Sequence, residues 1–258
     1  MPIYNEIIEK LEYLDLNASK TYLENEHIAG NVTSKQLEKM NHVLNAQVLA
    51  KKETTRLYNV KVAGFPFLKT IKDFDFDFQP TLNKETVTEI LESNFYENGS
   101  NILFVGNPGT GKTHLSIAIG IDVATKRNSV YFIKFSKLIQ NLHEAYTENR
   151  LASRLKVYLK YKLLIIDELG FNEISSTEAK LFFQLIDLRY EKKSTIISTN
   201  IKFDKWFKIL GNDEMLAKAI LDRLLHHSYI FNIDGHSYRL KDKLNQQKNE
   251  DKVVESTT

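Results

Sequence analysis

The segment Gly106-Asn107-Pro108-Gly109-Thr110-Gly111-Lys112-Thr113 constrains this chain more than any other eight residues. It has the form G-x-x-x-x-G-K-[ST], and its flanks give the pattern weight. Asn101-Ile102-Leu103-Phe104-Val105 before it reads as a buried strand, and His114-Leu115-Ser116-Ile117-Ala118-Ile119 after it reads as a helix. Strand, glycine-rich turn and helix form a setting in which backbone N–H groups curl around phosphate and the helix N-terminus adds a favourable dipole. Gly106, Asn107, Pro108, Gly109, Thr110, Gly111, Lys112, Thr113 and His114 are therefore the candidate nucleotide-binding residues. Lys112 is expected to reach the β- and γ-phosphates, and the Thr113 hydroxyl to hold Mg²⁺.

A second feature moves the expectation from binding to hydrolysis. Leu163-Leu164-Ile165-Ile166-Asp167-Glu168 is an apolar strand ending in two carboxylates. Asp167 is placed to hold the Mg²⁺ shell. Glu168 is placed to polarise an attacking water as general base. Ser194-Thr195-Ile196-Ile197-Ser198-Thr199-Asn200 is another strand with a polar end. In a parallel sheet ligands sit at the carboxyl ends of strands, which brings Asn200 toward the γ-phosphate. The competing reading of Asn200 is a turn asparagine. Arg223, late in a helix, has two readings that spacing alone leaves open. One is a structural ion pair with Asp222 or another acid. The other is an arginine donated across a subunit interface to stabilise transition-state charge.

Alternation organises the rest. Strands are expected at 101–105, 129–134, 162–167, 194–199 and 228–233. Helices are expected at 111–125, 136–160 with a break near Asn149, 177–190 and 212–226. That pattern means an α/β fold with a five-stranded parallel sheet and helices on both faces. Residues 1–62 read as a small all-α N-terminal domain, with Ile7, Ile8, Leu11 and Leu14 at helical spacing and a capping box opening at Thr33. Residues 63–84 are an aromatic-rich linker expected to pack on the core, 85–240 form the catalytic domain, and 241–258 are a polar tail expected to be disordered.

The chain has no cysteine, which excludes disulfides, Cys-ligated zinc and thiol catalysis. No apolar run approaches the roughly 20 residues that span a bilayer. The N-terminus lacks the basic start and apolar stretch of a signal peptide, so a cytoplasmic location without membrane contact is expected. The net charge of +2 is unevenly spread. Between Lys126 and Lys162 lie nine basic and two acidic residues, so this segment carries +7 and the remainder −5. A local basic block on a near-neutral chain points to a polyanion.

The order of P-loop, Asp167-Glu168, Asn200 and Arg223 resembles that of AAA+ ATPases. Gly109-Thr110-Gly111-Lys112-Thr113-His114-Leu115, Asp167-Glu168-Leu169-Gly170, Ser198-Thr199-Asn200 and Leu221-Asp222-Arg223-Leu224-Leu225-His226-His227 resemble the IstB helper ATPases of bacterial insertion sequences. So do Phe65-Pro66-Phe67-Leu68-Lys69-Thr70, Asp73-Phe74-Asp75-Phe76 and Gln79-Pro80. The resemblance spans about residues 60–241. It implies similarity to DnaC-type helicase loaders and the initiator DnaA, ATP with Mg²⁺ as cofactors, and side-by-side homo-oligomers with ATP at each interface. It implies Asn200 as sensor, Arg223 acting in trans, and Arg239 in Ser237-Tyr238-Arg239 as a second nucleotide-sensing arginine. It further implies double-stranded DNA and a cognate IstA-type transposase as partners. In the initiator-type clade two helices between the second and third strands face DNA, here at about 136–160. That makes Lys137, Arg150, Arg154, Lys156 and Lys160 the candidate phosphate contacts. The expected function is an ATP-dependent DNA-binding helper of transposition. The alternatives are a helicase loader on single-stranded DNA and, from another class, a small-molecule kinase. Asp167-Glu168 with Asn200 argues for water as acceptor and against the kinase.

Overall fold

A computed structural model of the chain describes residues 2–238; Arg239 and the polar tail lie outside the described residues. The chain divides between Tyr58 and Asn59 into two units. The first contains helices α1 (Pro2–Tyr13), α2 (Asn17–Ile28) and most of α3 (Ser34–Val62). Its core is Ile7, Leu11, Leu23, Leu37 and Leu44, joined by Ile3, Tyr4, Ile8, Leu14 and Val32. Thr33 and Gln36 cap α3 reciprocally: Gln36 N–H donates to Thr33 Oγ1 at 3.3 Å, and Thr33 N–H donates to Gln36 Oε1 at 2.8 Å.

The second unit runs α4 (Lys84–Glu92), β1 (Asn101–Gly106), α5 (Lys112–Thr125), β2 (Val130–Lys134), α6 (Phe135–Thr147), α7 (Leu151–Leu159) and β3 (Leu163–Leu169). It continues with α8 (Ser176–Arg189), β4 (Ser194–Thr199), α9 (Trp206–Ile209), α10 (Glu214–Leu225) and β5 (Ser228–Ile233). The five strands pair in parallel in the order β2-β3-β4-β1-β5. Helices cover both faces, as the alternation expected. Leu103, Leu164, Ile166 and Ile197 pack with α6, α7, α8 and α10. Ile102, Phe104, Leu163, Ile165 and Ile196 pack with α4, α5 and the aromatic segment after α3.

One boundary differs from the sequence expectation. β3 runs on to Leu169 with an irregularity between Ile166 and Leu169, because Glu168 takes φ +62 and still donates its N–H to Ser198 Oγ at 3.0 Å. The break expected near Asn149 is present: 136–160 forms two helices, with Asn149 at φ +53 between them.

Both faces of these strands are apolar, so hydrophobic pattern alone does not fix their register. Buried polar groups do. The Asn101 side chain accepts from Thr195 N–H at 2.9 Å and donates to the Leu224 carbonyl at 3.1 Å, pinning β1 to β4 and α10. Arg189 is the strongest such device. It is 1% exposed and donates to the Tyr158 carbonyl at 2.8 Å, the Tyr161 carbonyl and Thr195 Oγ1 at 3.1 Å each, and the Ser194 carbonyl. Desolvation pulls its pKa down to about 9, and these acceptors hold the charge that remains at neutral pH. Arg189→Met leaves those carbonyls without a donor. Urea unfolding is expected to show a loss of about 3 kcal/mol.

Candidate functional site

Because all five strands are parallel, their carboxyl ends share one edge, and a cavity of about 450 Å³ opens there. It is lined by the P-loop from Pro108 to His114, by Lys134, Asp167 and Glu168, and by Ser198, Thr199 and Asn200. The linker contributes Phe67, Lys69 and Phe74 to the opposite wall. The P-loop needs its glycines for space as much as for backbone freedom. Gly106 has φ +155, and a Cβ there would lie 2.2 Å from the Ile233 carbonyl oxygen. Gly111 has φ +97, and its Cβ would lie 2.6 Å from the Phe74 ring. Lys112 opens α5 and donates to the carbonyls of Gly106 at 2.7 Å and Asn107 at 2.6 Å, which points its ammonium across the loop.

Thr113 Oγ1 lies 2.9 and 3.0 Å from the two Asp167 carboxylate oxygens. Ser198 donates to the same carboxylate from β4. Asp167 is 1% exposed, and burial raises its pKa against the pull of the Ser198 and Thr113 bonds. A hydroxyl and a carboxylate side by side at a phosphate loop are an all-oxygen donor set that suits Mg²⁺. Glu168 turns the other way and pairs with Lys134 Nζ at 2.9 Å. Strands β2 and β3 place Lys134 beside Asp167 in register.

His114 sits between the Phe67 and Phe74 rings, at centroid distances of 6.4 and 5.2 Å, and its Nε2 faces the Thr70 carbonyl at 3.2 Å. Burial lowers its pKa. The chain after β5 crosses back over the loop: Tyr238 N–H donates to the Gly109 carbonyl at 2.9 Å, and Gln79 Nε2 donates to the His236 carbonyl at 2.9 Å.

The cavity thus gathers Lys112, Thr113, His114, Asp167, Glu168 and Asn200. It does not include Arg223, which pairs with Asp187 at 2.6 Å, lies 4.6 Å over the Phe183 ring and donates to the Ala219 carbonyl at 3.1 Å. The ion-pair reading therefore describes Arg223 within one chain, with Asp187 rather than Asp222 as the acid. Lys137, Arg150, Arg154, Lys156 and Lys160 all lie on or at the ends of α6 and α7. Arg150 pairs with Glu148, while Lys156 and Lys160 are exposed and form no ion pair among the described residues. Arg239 is outside the described residues.

Sequence reasoning missed two site residues. Lys134 falls within the basic segment, yet it pairs with Glu168; its signal is a lysine ending the strand beside the one that ends in Asp-Glu. Ser198, in the strand expected at 194–199, carries no site role of its own in the sequence reading; its signal is a hydroxyl two residues before a polar strand end.

The sequence matches the family described as IstB-like ATP binding protein over residues 10–246. An ATP-binding protein of insertion sequence IS232 from Bacillus thuringiensis subsp. berliner is 45% identical, over 95% of this chain and 98% of the relative. An IS21 ATP-binding protein from Pseudomonas aeruginosa is 44% identical, over 71% of this chain and 69% of the relative. Among solved structures, the DnaC helicase loader matches with a TM-score of 0.50 and 28% identity, over 58% of this chain and 87% of the loader. AMPPCP-bound DnaA from Aquifex aeolicus matches with a TM-score of 0.56 and 21% identity, over 72% of this chain and 56% of DnaA, which is a likeness of fold.

The raised Asp167 pKa has a stability consequence. The folded chain holds this proton more tightly than the unfolded chain, so stability falls as pH rises through the window between the two pKa values. The ionised form of this buried group is the costly one. Asp167→Asn keeps an acceptor for Thr113 and Ser198 without that charge. It is expected to raise the melting temperature of the nucleotide-free protein at pH 7, with the gain shrinking below the ordinary carboxylate range. Thermal scans across pH check the sign.

Proposed function

Because this chain belongs to the IstB-like ATP-binding family and its second unit has the AAA+ fold, we propose that it is an ATP-hydrolysing, DNA-binding helper of insertion-sequence transposition. The observation that carries the catalytic part is the pairing of Thr113 with Asp167 beside Glu168 at the mouth of one phosphate-binding loop. The loop's N–H groups and Lys112 bind the phosphates. Thr113 and Asp167 would hold Mg²⁺, which supplies charge neutralisation at the β- and γ-oxygens. Glu168 accepts a proton from water once it leaves Lys134, and Asn200 orients that water. Acceptance by water, rather than by a second substrate, makes the reaction hydrolysis to ADP and phosphate.

Arg223 is assigned to a neighbouring copy's γ-phosphate. Its pair with Asp187 is partly exposed, at 27% and 48% of the two side chains. Such pairs are worth little, so exchanging the carboxylate for a phosphate is not expensive. Exposed Lys137, Lys156 and Lys160, with Arg150 and Arg154, are assigned to duplex phosphates. The helices of the first unit are assigned to oligomer or transposase contacts. The helicase-loader reading is supported by the DnaC likeness. The insertion-sequence reading is favoured because the IS232 relative matches 95% of the chain, against 58% for the loader.

Two measurements test the proposal. Lys112→Ala is expected to abolish ATP binding. Glu168→Gln is expected to bind ATP, lose at least about 100-fold in hydrolysis rate, and trap the oligomer on DNA. Hydrolysis by Glu168→Gln at the normal rate would remove its assignment as base. Binding to fluorescent duplex and single strands of equal length across a salt series separates the two DNA readings. Tight, ATP-requiring duplex binding is expected, with replacement of Lys156 and Lys160 by Gln lowering the log–log salt slope by about 1–2. Preference for the single strand would shift the assignment to a helicase loader.

A further inference from the structure

The C-terminal ends of α8 and α10 bring together three groups that none of the roles above uses. Glu191 follows α8, and His226 and His227 follow α10. Glu191 Oε1 lies 3.6 Å from His226 Nδ1 and 3.5 Å from His227 Nε2, and one ligand atom from each residue lies within 4.8 Å of the other two. A tetrahedral centre with metal–ligand bonds of about 2.1 Å sets its ligand atoms about 3.4 Å apart. Two of the three spacings already match that edge.

The backbone beneath each ligand is fixed. Lys192 and Lys193 N–H groups bond the Arg189 carbonyl at 3.0 and 2.9 Å, closing the turn that carries Glu191. Glu191 holds φ +57 in that turn, and Gly99 packs so closely against it that a Cβ on Gly99 would lie 2.9 Å from the Glu191 carbonyl. His226 N–H bonds the Asp222 carbonyl at 3.1 Å, and the His227 carbonyl accepts from Asn101 N–H at 2.8 Å at the start of the sheet. The Tyr190 hydroxyl hydrogen-bonds His226 Nδ1 at 2.7 Å, a contact that a cation taking this nitrogen displaces. Two helix C-termini converge here, and their partial negative charge favours a cation.

We propose that Glu191, His226 and His227 bind a divalent transition cation of the Zn²⁺ class, joining the end of α8 to the end of α10. Two imidazoles and one carboxylate exclude Mg²⁺ and Ca²⁺, which take oxygen ligands, and suit zinc, cobalt or nickel. The fourth position falls to water or a partner's side chain. The same two helices carry Asp187 and Arg223 about one turn before the cluster. A bound cation fixes one helix against the other and so restrains where Arg223 is presented. That consequence rests on the trans role proposed for Arg223; cation binding does not.

The test uses the full chain stripped with chelator and held in excess Mg²⁺, which covers the oxygen site at Thr113 and Asp167. Zn²⁺ is titrated against a chromophoric chelator, and Co²⁺ is followed by its visible absorption. One equivalent of Zn²⁺ and a tetrahedral Co²⁺ spectrum are expected. Replacing both His226 and His227 by Gln, or Glu191 alone by Gln, is expected to weaken binding at least about tenfold. Zn²⁺ is also expected to raise the melting temperature of the wild type only. Equal Zn²⁺ affinity in the double variant, or no binding at micromolar Zn²⁺, would overturn the site. The five other histidines remain in the double variant and report background binding. ATP hydrolysis is measured in parallel, so loss of the ATPase reading is distinguishable from loss of the cation site.

Discussion

The Asp167 carboxylate is the group on which the rest of the site depends. It is buried, and it receives Thr113 from the start of α5 and Ser198 from β4. Those bonds tie three elements together at the point where their apolar faces give no register. A carboxylate taken out of water is costly unless its lone pairs are satisfied. Here two hydroxyls satisfy them, and burial still raises its pKa. The fold therefore holds a carboxyl whose ionised form is penalised by burial at the N-terminal end of the phosphate-binding loop's helix. Arg189 and Asn101 supply further buried polar anchors between strands and helices.

What the sequence made legible was local. The P-loop, the carboxylate pair and the strand–helix alternation each sit within a few residues of chain, so spacing and hydrophobic period report them. The two helices at 135–159 were readable as a break at Asn149 for the same reason. What stayed hidden was pairing at a distance. Lys134 and Glu168 are 34 positions apart and meet only because β2 and β3 are neighbours in the sheet. Arg223 finds Asp187 across 36 positions, which no helical wheel of α10 alone contains. The Phe74 ring lies against Gly111, and Gln79 reaches the chain after β5. The linker's aromatic content announced burial, but the surface it would bury against needed the fold.

The basic block shows how charge counting misassigns residues. Lys126 pairs with Asp122 at 3.0 Å and Lys162 with Glu97 at 2.7 Å, and Lys134 belongs to the cavity. The acids that neutralise them lie outside the window or on another strand, so a count along the chain did not see them. The basic residues of this segment for which no ion pair is found among the described residues include Lys137 on α6 and Arg154, Lys156 and Lys160 on or at the end of α7.

Lys134 is the last residue of β2, and Phe135 is the first of α6. The side chain that holds Glu168 is therefore one peptide bond from the helix that carries Lys137 and leads into α7. Phe135 is buried in the same core as Leu138 and Leu142, and it packs on Phe182 of α8 at a centroid distance of 5.2 Å. A ligand that shifts α6 and α7 must either break that packing or move Lys134 with them. Core packing resists deformation, whereas a half-exposed ion pair at 2.9 Å yields easily. The geometry thus places the Lys134–Glu168 pair at the junction between the cavity and the start of α6, as the more yielding of the two contacts there.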